Sequence, residues 1–256
     1  MAFTFGLIPG IIDGDVKADF FGTMKKVAEI GYRCIEGGGK LTEGDAKAVA
    51  ETKKKLDAMG LAVSGIGAGR QALETSLDPL VEKAHVLGAA YIVDYWGPCE
   101  SRDVFLKDLE FFESVAARCE RAGLKFCYHH HDHEFRTEFD GMRAIDLMIR
   151  NTSKLCIEVD VAWVTYGGAE PADFIRRHRG RIPAIHLKDI ADLTTRGKFT
   201  AVGTGHVDIV GSVRAADECG VKFVIVEQDA PRNLSGMDSV RAAYLNVKEA
   251  GLLALA

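Results

Sequence analysis

Short apolar segments rich in β-branched and aromatic residues alternate along the chain with longer amphipathic segments. The short segments have the length and composition of buried strands, whereas the longer ones repeat their apolar positions with the period of a helix. Eight such pairs follow one another, and this order predicts a parallel sheet whose strands are joined by helices. The predicted strands cover residues 3–8, 33–36, 62–66, 91–94, 125–129, 155–159, 182–187 and 223–227.

Five of the eight predicted helices share a common ending. The eight helices cover residues 19–30, 42–59, 80–87, 103–122, 142–150, 171–178, 209–219 and 239–250. Gly31, Gly60, Gly88, Gly123 and Gly220 each follow a helical pattern and precede a strand, where a left-handed residue readily ends a helix. This repeat argues against a helical bundle or a β-sandwich, whose turn signals fall at other spacings.

A closed barrel fits the chain better than an open sheet. The 256 residues are close to the ~250 typical of a barrel of eight strand–helix units. The first strand is not followed by a GxGxxG turn, and the glycines at 37–39 after the second strand indicate only a loop. No linker or low-complexity stretch interrupts the pattern. We therefore predict an α/β protein with a single (β/α)8 TIM barrel, one catalytic domain over residues 1–256.

Charge and cysteine usage exclude several classes of function. The formal net charge is −5 and no dense block of Lys and Arg occurs, which argues against a nucleic-acid partner. No apolar run approaches 18 residues, so no membrane span is predicted. The six cysteines form no CxxC pair, and the N-terminal segment lacks the pattern of a signal peptide. The expected location is the cytoplasm, with reduced thiols.

Residue types that bind metals follow four consecutive predicted strands, in segments 128–135, 158–160, 186–189 and 227–229. The carboxyl ends of barrel strands form the catalytic face, so we expect these side chains to converge. Two glutamates, one aspartate and one histidine would suit one divalent ion, Mn, Mg, Co or Zn. A lone acidic residue at a strand end is more often a loop residue or a helix cap. The convergence of four strands favours the metal site.

The histidine-rich segment after the fifth strand continues an apolar run. Strand alternation places His129 and His131 on one face and His130 on the other. We expect His129 and His131 to face the pocket, and His130 and His133 to be structural. A surface metal-scavenging tract is the alternative interpretation. No nucleophile elbow or Walker-type loop occurs in the chain, so covalent nucleophilic catalysis is not favoured.

These motifs, with segments 158–163, 202–208 and 226–229, resemble the xylose isomerase-like TIM barrel superfamily, in its branch of sugar phosphate isomerases and epimerases. The likeness spans essentially the whole chain. It implies one divalent ion held by four residues from successive strands. The implied ligands are Glu134, Asp160, His186 and Glu227, with His131 as the alternative to Glu134.

The resemblance also implies a sugar-binding wall around the metal. Lys188 would contact substrate oxygens and Trp163 would face the sugar, although plain core packing is an equally good interpretation of Trp163. Asp94 and Trp96, after the fourth strand, are further substrate-binding candidates. The chain departs from the branch pattern at His130, where related proteins often have Asn.

The function that this resemblance implies is isomerisation or epimerisation of a small sugar or keto-sugar, by proton transfer through a metal-stabilised enediolate. The alternatives are a lyase or dehydratase of the inosose dehydratase or keto-glycoside lyase type, and a non-catalytic sugar-binding barrel. The partner is then a small-molecule sugar, and a homo-oligomer is compatible with the family. The candidate catalytic residues are His129, His131, Glu134, Glu227 and Lys188.

One loop raises the question of a phosphate on the substrate. Gly203 and Gly205 flank Thr204 just before a predicted helix, where backbone amides can bind an anion. A glycine pair in a loop is weak evidence for this, and an ordinary turn is the favoured interpretation.

Overall fold

The computed structural model describes residues 3–230 and 232–256 and is a (β/α)8 barrel. Its strands are β1 (Thr4–Leu7), β2 (Cys34–Ile35), β3 (Ala62–Val63), β4 (Gly65–Gly67), β5 (Tyr91–Asp94), β6 (Lys125–His129), β7 (Glu138–Phe139), β8 (Met142–Arg143), β9 (Cys156–Asp160), β10 (Ala184–Leu187), β11 (Asp189–Ile190), β12 (Phe199–Thr200) and β13 (Phe223–Val226). The barrel sheet has the order β3-β2-β1-β13-β10-β9-β6-β5-β4, and its strand pairs are parallel. The pairs β7–β8 and β11–β12 are short antiparallel hairpins outside it.

The barrel closes through a strand that changes partners at Ser64. Strand β3 pairs with β2, and β4, one residue further on, pairs with β5. Both the backbone N–H and the hydroxyl of Ser64 donate to the carbonyl of Ile35, at 3.0 and 3.2 Å. The sequence pattern predicted one strand over 62–66. The structure divides it because the two sheet neighbours lie on either side of it.

The α-helices surround the barrel and cover its outer face. They are α1 (Asp13–Ala18), α2 (Phe20–Ile30), α3 (Ala46–Ala58), α4 (Arg70–Thr75), α5 (Leu77–Leu87), α6 (Arg102–Arg121), α7 (His133–Arg136), α8 (Ala144–Asn151), α9 (Val161–Tyr166), α10 (Pro171–Arg177), α11 (Ile209–Cys219) and α12 (Gly236–Glu249). Within the described ranges, no helix is both long and apolar enough to cross a bilayer. Short 3-10 helices cover Pro9–Ile12, Gly39–Leu41 and Leu252–Leu255.

The predicted glycine stops are confirmed. All five have positive φ, and Gly88 and Gly220 are left-handed C-caps whose N–H groups donate to the last turns of α5 and α11. The predicted helix over 142–150 starts too early, because Met142 pairs with Phe139 in a hairpin before α8 begins at Ala144.

Side chains inside the barrel change character along its axis. At the amino-terminal end, Tyr91, Cys127, Cys156 and Ala184 form a small buried cluster that is separate from the main core between sheet and helices. Because side chains alternate along a strand, residues two and four positions further on point into the same interior. There the chain places ionisable groups, so the barrel has an apolar base and a polar mouth.

Candidate metal centre

Four potential metal ligands converge at the polar end of the barrel. His129 ends β6, Asp160 ends β9, His186 lies in β10 and Glu227 directly follows β13. These strands are consecutive neighbours in the sheet. One potential ligand atom from each residue lies within 4.8 Å of those of the other three. Because the strand ends are fixed by the sheet, the four groups are held together before any ligand arrives.

Asp160 presents one carboxylate oxygen to this cluster. Its Oδ1 accepts hydrogen bonds from the backbone N–H groups of Ala162 and Trp163, at 2.9 and 3.0 Å, and so caps helix α9. Its Oδ2 is buried, makes no hydrogen bond of regular geometry with a described residue, and lies 3.1 Å from Lys188 Nζ and 3.9 Å from His129 Nε2. A carboxylate oxygen has room for more than one partner, so Oδ2 can contact a bound cation beside this lysine.

Glu158 holds both imidazoles from the side away from the cluster. Its Oε2 lies 3.0 Å from His129 Nδ1 and 3.2 Å from His186 Nε2. The other ring nitrogens, His129 Nε2 and His186 Nδ1, are then directed towards Asp160 and Glu227, and the latter contact is 2.8 Å. A carboxylate behind each ligating histidine is the usual arrangement around a protein-bound metal.

Glu36, at the end of β2, supports the same histidine. Its Oε1 lies 3.1 Å from His186 Nε2 and accepts a 2.9 Å hydrogen bond from the hydroxyl of Tyr95, while its Oε2 accepts from Tyr91. Gly65 and Gly67 make room for these rings, because a Cβ atom would lie 2.2 Å from the ring of Tyr91 or 2.4 Å from that of Tyr95. Two glycines in β4 therefore determine where Glu36 is held.

Lys188 lies beside the cluster as a buried cation. Its Nζ is 3.1 Å from Asp160 Oδ2, 3.0 Å from Glu227 Oε2 and 3.1 Å from Asp229 Oδ1. Burial alone would lower its pKa, but these three carboxylates raise the pKa of Lys188 well above its ordinary value. The side chain therefore stays protonated at neutral pH.

The charges in the cluster depend strongly on one another. Burial and the neighbouring Glu36 raise the pKa of Glu158 to about 8. Burial alone would lower the pKa of His186, but Glu158, Glu36 and Glu227 raise it well above its usual range. Burial would also raise the pKa of Glu227, and Lys188 with His186 instead hold it well below its usual range. The carboxylates outnumber the cationic groups, so the site attracts further positive charge.

The residues fit a divalent ion. Two imidazole nitrogens and two carboxylates are a donor set that zinc, manganese or cobalt accepts, and Asp160 Oδ2 faces the other three groups with Lys188 as its ion-pair partner. Glu158 and Glu36 would orient the histidine ligands.

Glu134 lies elsewhere. Its Oε1 accepts a 2.6 Å hydrogen bond from Tyr128 and lies 3.1 Å from His133 Nε2, while its Oε2 accepts from the backbone of His131. The chain turns into α7 at His133, and this turn carries Glu134 away from the barrel axis. The structure therefore does not bring Glu134 to the other three implied ligands, and His129 lies in the place expected for it.

Aromatic and basic side chains surround the mouth. Trp163 is 4 % exposed, and its ring lies 5.2 Å from both Lys188 Nζ and the ring of His131. Trp96 is 56 % exposed, and its ring centroid is 5.1 Å from that of His131. Asp94 is buried below it and accepts from the Trp96 backbone N–H at 3.3 Å, and burial raises the pKa of Asp94 to about 6. Trp96 and Trp163 thus enclose His131 at the mouth, whereas Asp94 supports the loop.

The glycine loop at 203–205 is occupied by the protein itself. Asp189 Oδ2 accepts hydrogen bonds from the backbone N–H groups of Gly203 and Gly205, both at 2.9 Å, and its Oδ1 accepts from Ile190 and Val207. These amides are therefore not available to a phosphate, in agreement with the favoured interpretation as a structural turn.

A cavity of about 560 Å³ adjoins the cluster at the ends of β1 and β2. Its inner end includes Glu36 and Tyr95, and its walls are mainly apolar, with Pro9, Phe20 and Leu41 among them. The cavity lies on the same face of the barrel as the ligand cluster, so it offers space for a substrate.

Sequence reasoning did not single out Glu36, and it placed Glu158 in a candidate metal-binding segment without giving it a role of its own. Strand alternation could have identified Glu158, and the location of barrel active sites could have identified Glu36. Glu158 is two residues before Asp160 on the same face of β9, and Glu36 follows β2 at the carboxyl end of the barrel.

Comparison with known proteins agrees with the barrel fold. An inosose dehydratase from Geobacillus kaustophilus is 26 % identical, with 87 % of this chain and 83 % of that protein covered. A sugar phosphate isomerase/epimerase from Parabacteroides distasonis has the same fold, with a TM-score of 0.81, 19 % identity and coverage of 99 % and 96 % of the two chains. The IolI protein, solved with a zinc atom, gives a TM-score of 0.69 at 14 % identity, covering 90 % and 91 %. The model of the xylose isomerase-like TIM barrel family matches residues 24–244, and the chain belongs to that family.

Proposed function

We propose that this protein is a divalent-metal-dependent enzyme that removes the proton next to the carbonyl of a keto-sugar, as an isomerase or epimerase. The observation that carries the proposal is the group formed by His129, Asp160, His186 and Glu227 at the mouth of the barrel. These residues would hold one ion of manganese, zinc, cobalt or magnesium, which when bound supplies polarisation of the carbonyl and charge balance for the enediolate.

The residues around the cluster would position the substrate and move the proton. Burial lowers the pKa of His131 to about 4, so its imidazole is neutral at neutral pH and can accept a proton. Its Nδ1 is buried without a hydrogen-bond partner among the described residues. Lys188 stays protonated and holds Asp160 and Glu227 in place. The rings of Trp96 and Trp163 pack against that of His131 and limit its orientation.

Dehydration is the second candidate, because the similar curated relatives include inosose dehydratases. Both reactions begin with removal of the same proton, and they differ in whether a neighbouring hydroxyl then leaves. One pocket with a neutral base and a protonated lysine is compatible with either outcome.

The first experiment measures metal content. Purified protein, dialysed against trace Mn, Zn, Co and Mg, is analysed for metals beside the His186→Ala and Glu227→Ala variants. We expect one tightly held ion at this cluster in the wild type and its loss in both variants, because each variant removes a ligand. Absence of a stoichiometric ion at this cluster with all four metals would overturn the proposal.

The second experiment tests the chemistry. The metal-loaded protein is incubated in D2O with a panel of ketoses and keto-inositols, and the exchange of the C–H group next to the carbonyl is followed by NMR. Exchange with a new sugar indicates isomerisation or epimerisation, and exchange with loss of water indicates dehydration. Binding of metal and sugar without exchange would favour a non-catalytic barrel.

A further inference from the structure

A second group of potential metal ligands lies outside the cluster described above. Cys99 is in the loop after β5, and His133 and Glu134 open helix α7. One potential ligand atom from each lies within 4.8 Å of the other two, and His133 Nε2 is 3.1 Å from Glu134 Oε1. In a tetrahedral zinc site with bonds of about 2.0–2.3 Å, neighbouring ligand atoms are roughly 3.3–3.8 Å apart. Small side-chain adjustments would therefore complete the geometry.

The carboxylate of this group is already held in position. Glu134 is fully buried, and Tyr128 and the backbone of His131 donate to its two oxygens. Hydrogen bonds of this kind orient a ligating carboxylate and are common around metals. The remaining two ligand groups are accessible, because Cys99 and His133 line an open cavity of about 520 Å³. A water molecule or an external ligand could complete the coordination from that side.

His133 contacts this carboxylate and also lines the open cavity. Its Nε2 lies 3.1 Å from Glu134 Oε1 and 3.0 Å from the carbonyl oxygen of Gly97. Its Nδ1 is buried with no hydrogen-bond partner in the described part of the chain. Arg136 and Arg196, which also line the cavity, are both paired with Asp132.

We propose that Cys99, His133 and Glu134 form a second metal site, which takes zinc or cobalt(II) and is separate from the cluster at the barrel mouth. A thiolate with an imidazole and a carboxylate selects these borderline ions over magnesium or manganese. Binding releases the protons of the Cys99 thiol and the His133 imidazole. Because Glu134 also accepts from the backbone of His131, the ion fixes the segment that carries His129 and His131.

Cobalt(II) spectroscopy tests this proposal independently of the first cluster. The full chain is stripped of metal with a chelator and titrated with cobalt(II), and the absorption band for charge transfer from thiolate to cobalt is recorded. We expect the band in the wild type and in His186→Ala, since the mouth cluster contains no cysteine. Cys99→Ser should abolish it, whereas the matched control Cys219→Ser, at another partly exposed thiol, should keep it.

The outcomes separate a metal site from a plain ion pair between His133 and Glu134. A wild-type protein without the band, or a Cys99→Ser variant that retains it, overturns the proposal. His133→Gln supplies a second variant in case Cys99→Ser fails to fold, and it should weaken cobalt binding at the thiolate at least tenfold. A wild-type protein that binds cobalt at the thiolate but no metal at the mouth cluster would contradict the proposed function and leave this site intact.

Discussion

Glu158 has an unusual position for a single carboxylate, because one of its oxygens serves two histidines. Its Oε2 is within 3.2 Å of both His129 Nδ1 and His186 Nε2, and the side chain is fully buried. The orientation of two potential ligands thus depends on one residue that does not itself belong to the four-ligand group. A change at Glu158 tests the site without removing a ligand.

Glu158→Gln should lower the affinity for a divalent ion about 10- to 100-fold. The amide keeps the size of the side chain but cannot ionise to a carboxylate that faces both imidazoles when an ion binds. Calorimetric titration of the metal-free protein with manganese measures the change in affinity. Glu120→Gln, at an exposed glutamate, is the control and should bind like the wild type. Equal affinities in the two variants would show that Glu158 does not orient the ligands.

Residue patterns identified Asp160, His186 and Glu227 as neighbours, because the carboxyl ends of barrel strands must meet. The same reasoning could not choose between residues of the histidine-rich segment. Strand alternation tells on which face of the strand a side chain lies, but it does not tell at which residue the chain leaves the sheet. Strand β6 ends at His129, so the residue at the mouth is His129, and Glu134 follows the chain into α7.

At the level of the elements, strand β4 influences the site through the space that its glycines leave. Gly65 and Gly67 face the rings of Tyr91 and Tyr95, whose hydroxyls donate to Glu36. The sequence placed strands β5 and β6 at the observed bounds, because each is a short apolar run with clear ends. It could not show why β4 carries glycines, since the rings that need the space lie on another strand.

Gly65→Ala should destabilise the protein by about 1–3 kcal/mol, since the new Cβ would lie 2.2 Å from the ring of buried Tyr91. Urea unfolding measures the change in the free energy of unfolding. Gly69→Ala is the matched control, because its φ is −79° and a Cβ there meets no described atom within 4 Å. It should change stability by at most about 1 kcal/mol, because Gly69 is the N-cap of α4 and Ala is a somewhat poorer cap than Gly. Similar losses in both variants would contradict the packing argument.

At the scale of the whole molecule, the proposed metal cluster joins elements that are far apart in sequence. Its members come from β6, β9, β10 and the residue after β13, and Glu36 extends the network to β2. A ligand that bridges these strands binds the folded barrel and not the unfolded chain, so it stabilises the fold as a unit.

Saturating metal should therefore raise the melting temperature. At about 100 times the dissociation constant, binding contributes about 2.7 kcal/mol, which corresponds to an increase of about 5–10 °C for a chain of this length. Thermal unfolding with and without manganese measures the increase. In His186→Ala the increase should disappear, because that variant lacks a central ligand. An unchanged increase in the variant would place the stabilising ion elsewhere.

The contacts of Asp189 have a consequence for the choice of substrate. Its carboxylate is tethered beside the amides of Gly203 and Gly205, and it is therefore present there at an effective concentration far above that of any dissolved anion. A phosphate group on a sugar would have to compete with this internal anion for the same donors. We therefore expect this loop to provide no phosphate-binding site, so that a phosphate on a substrate would have to bind elsewhere.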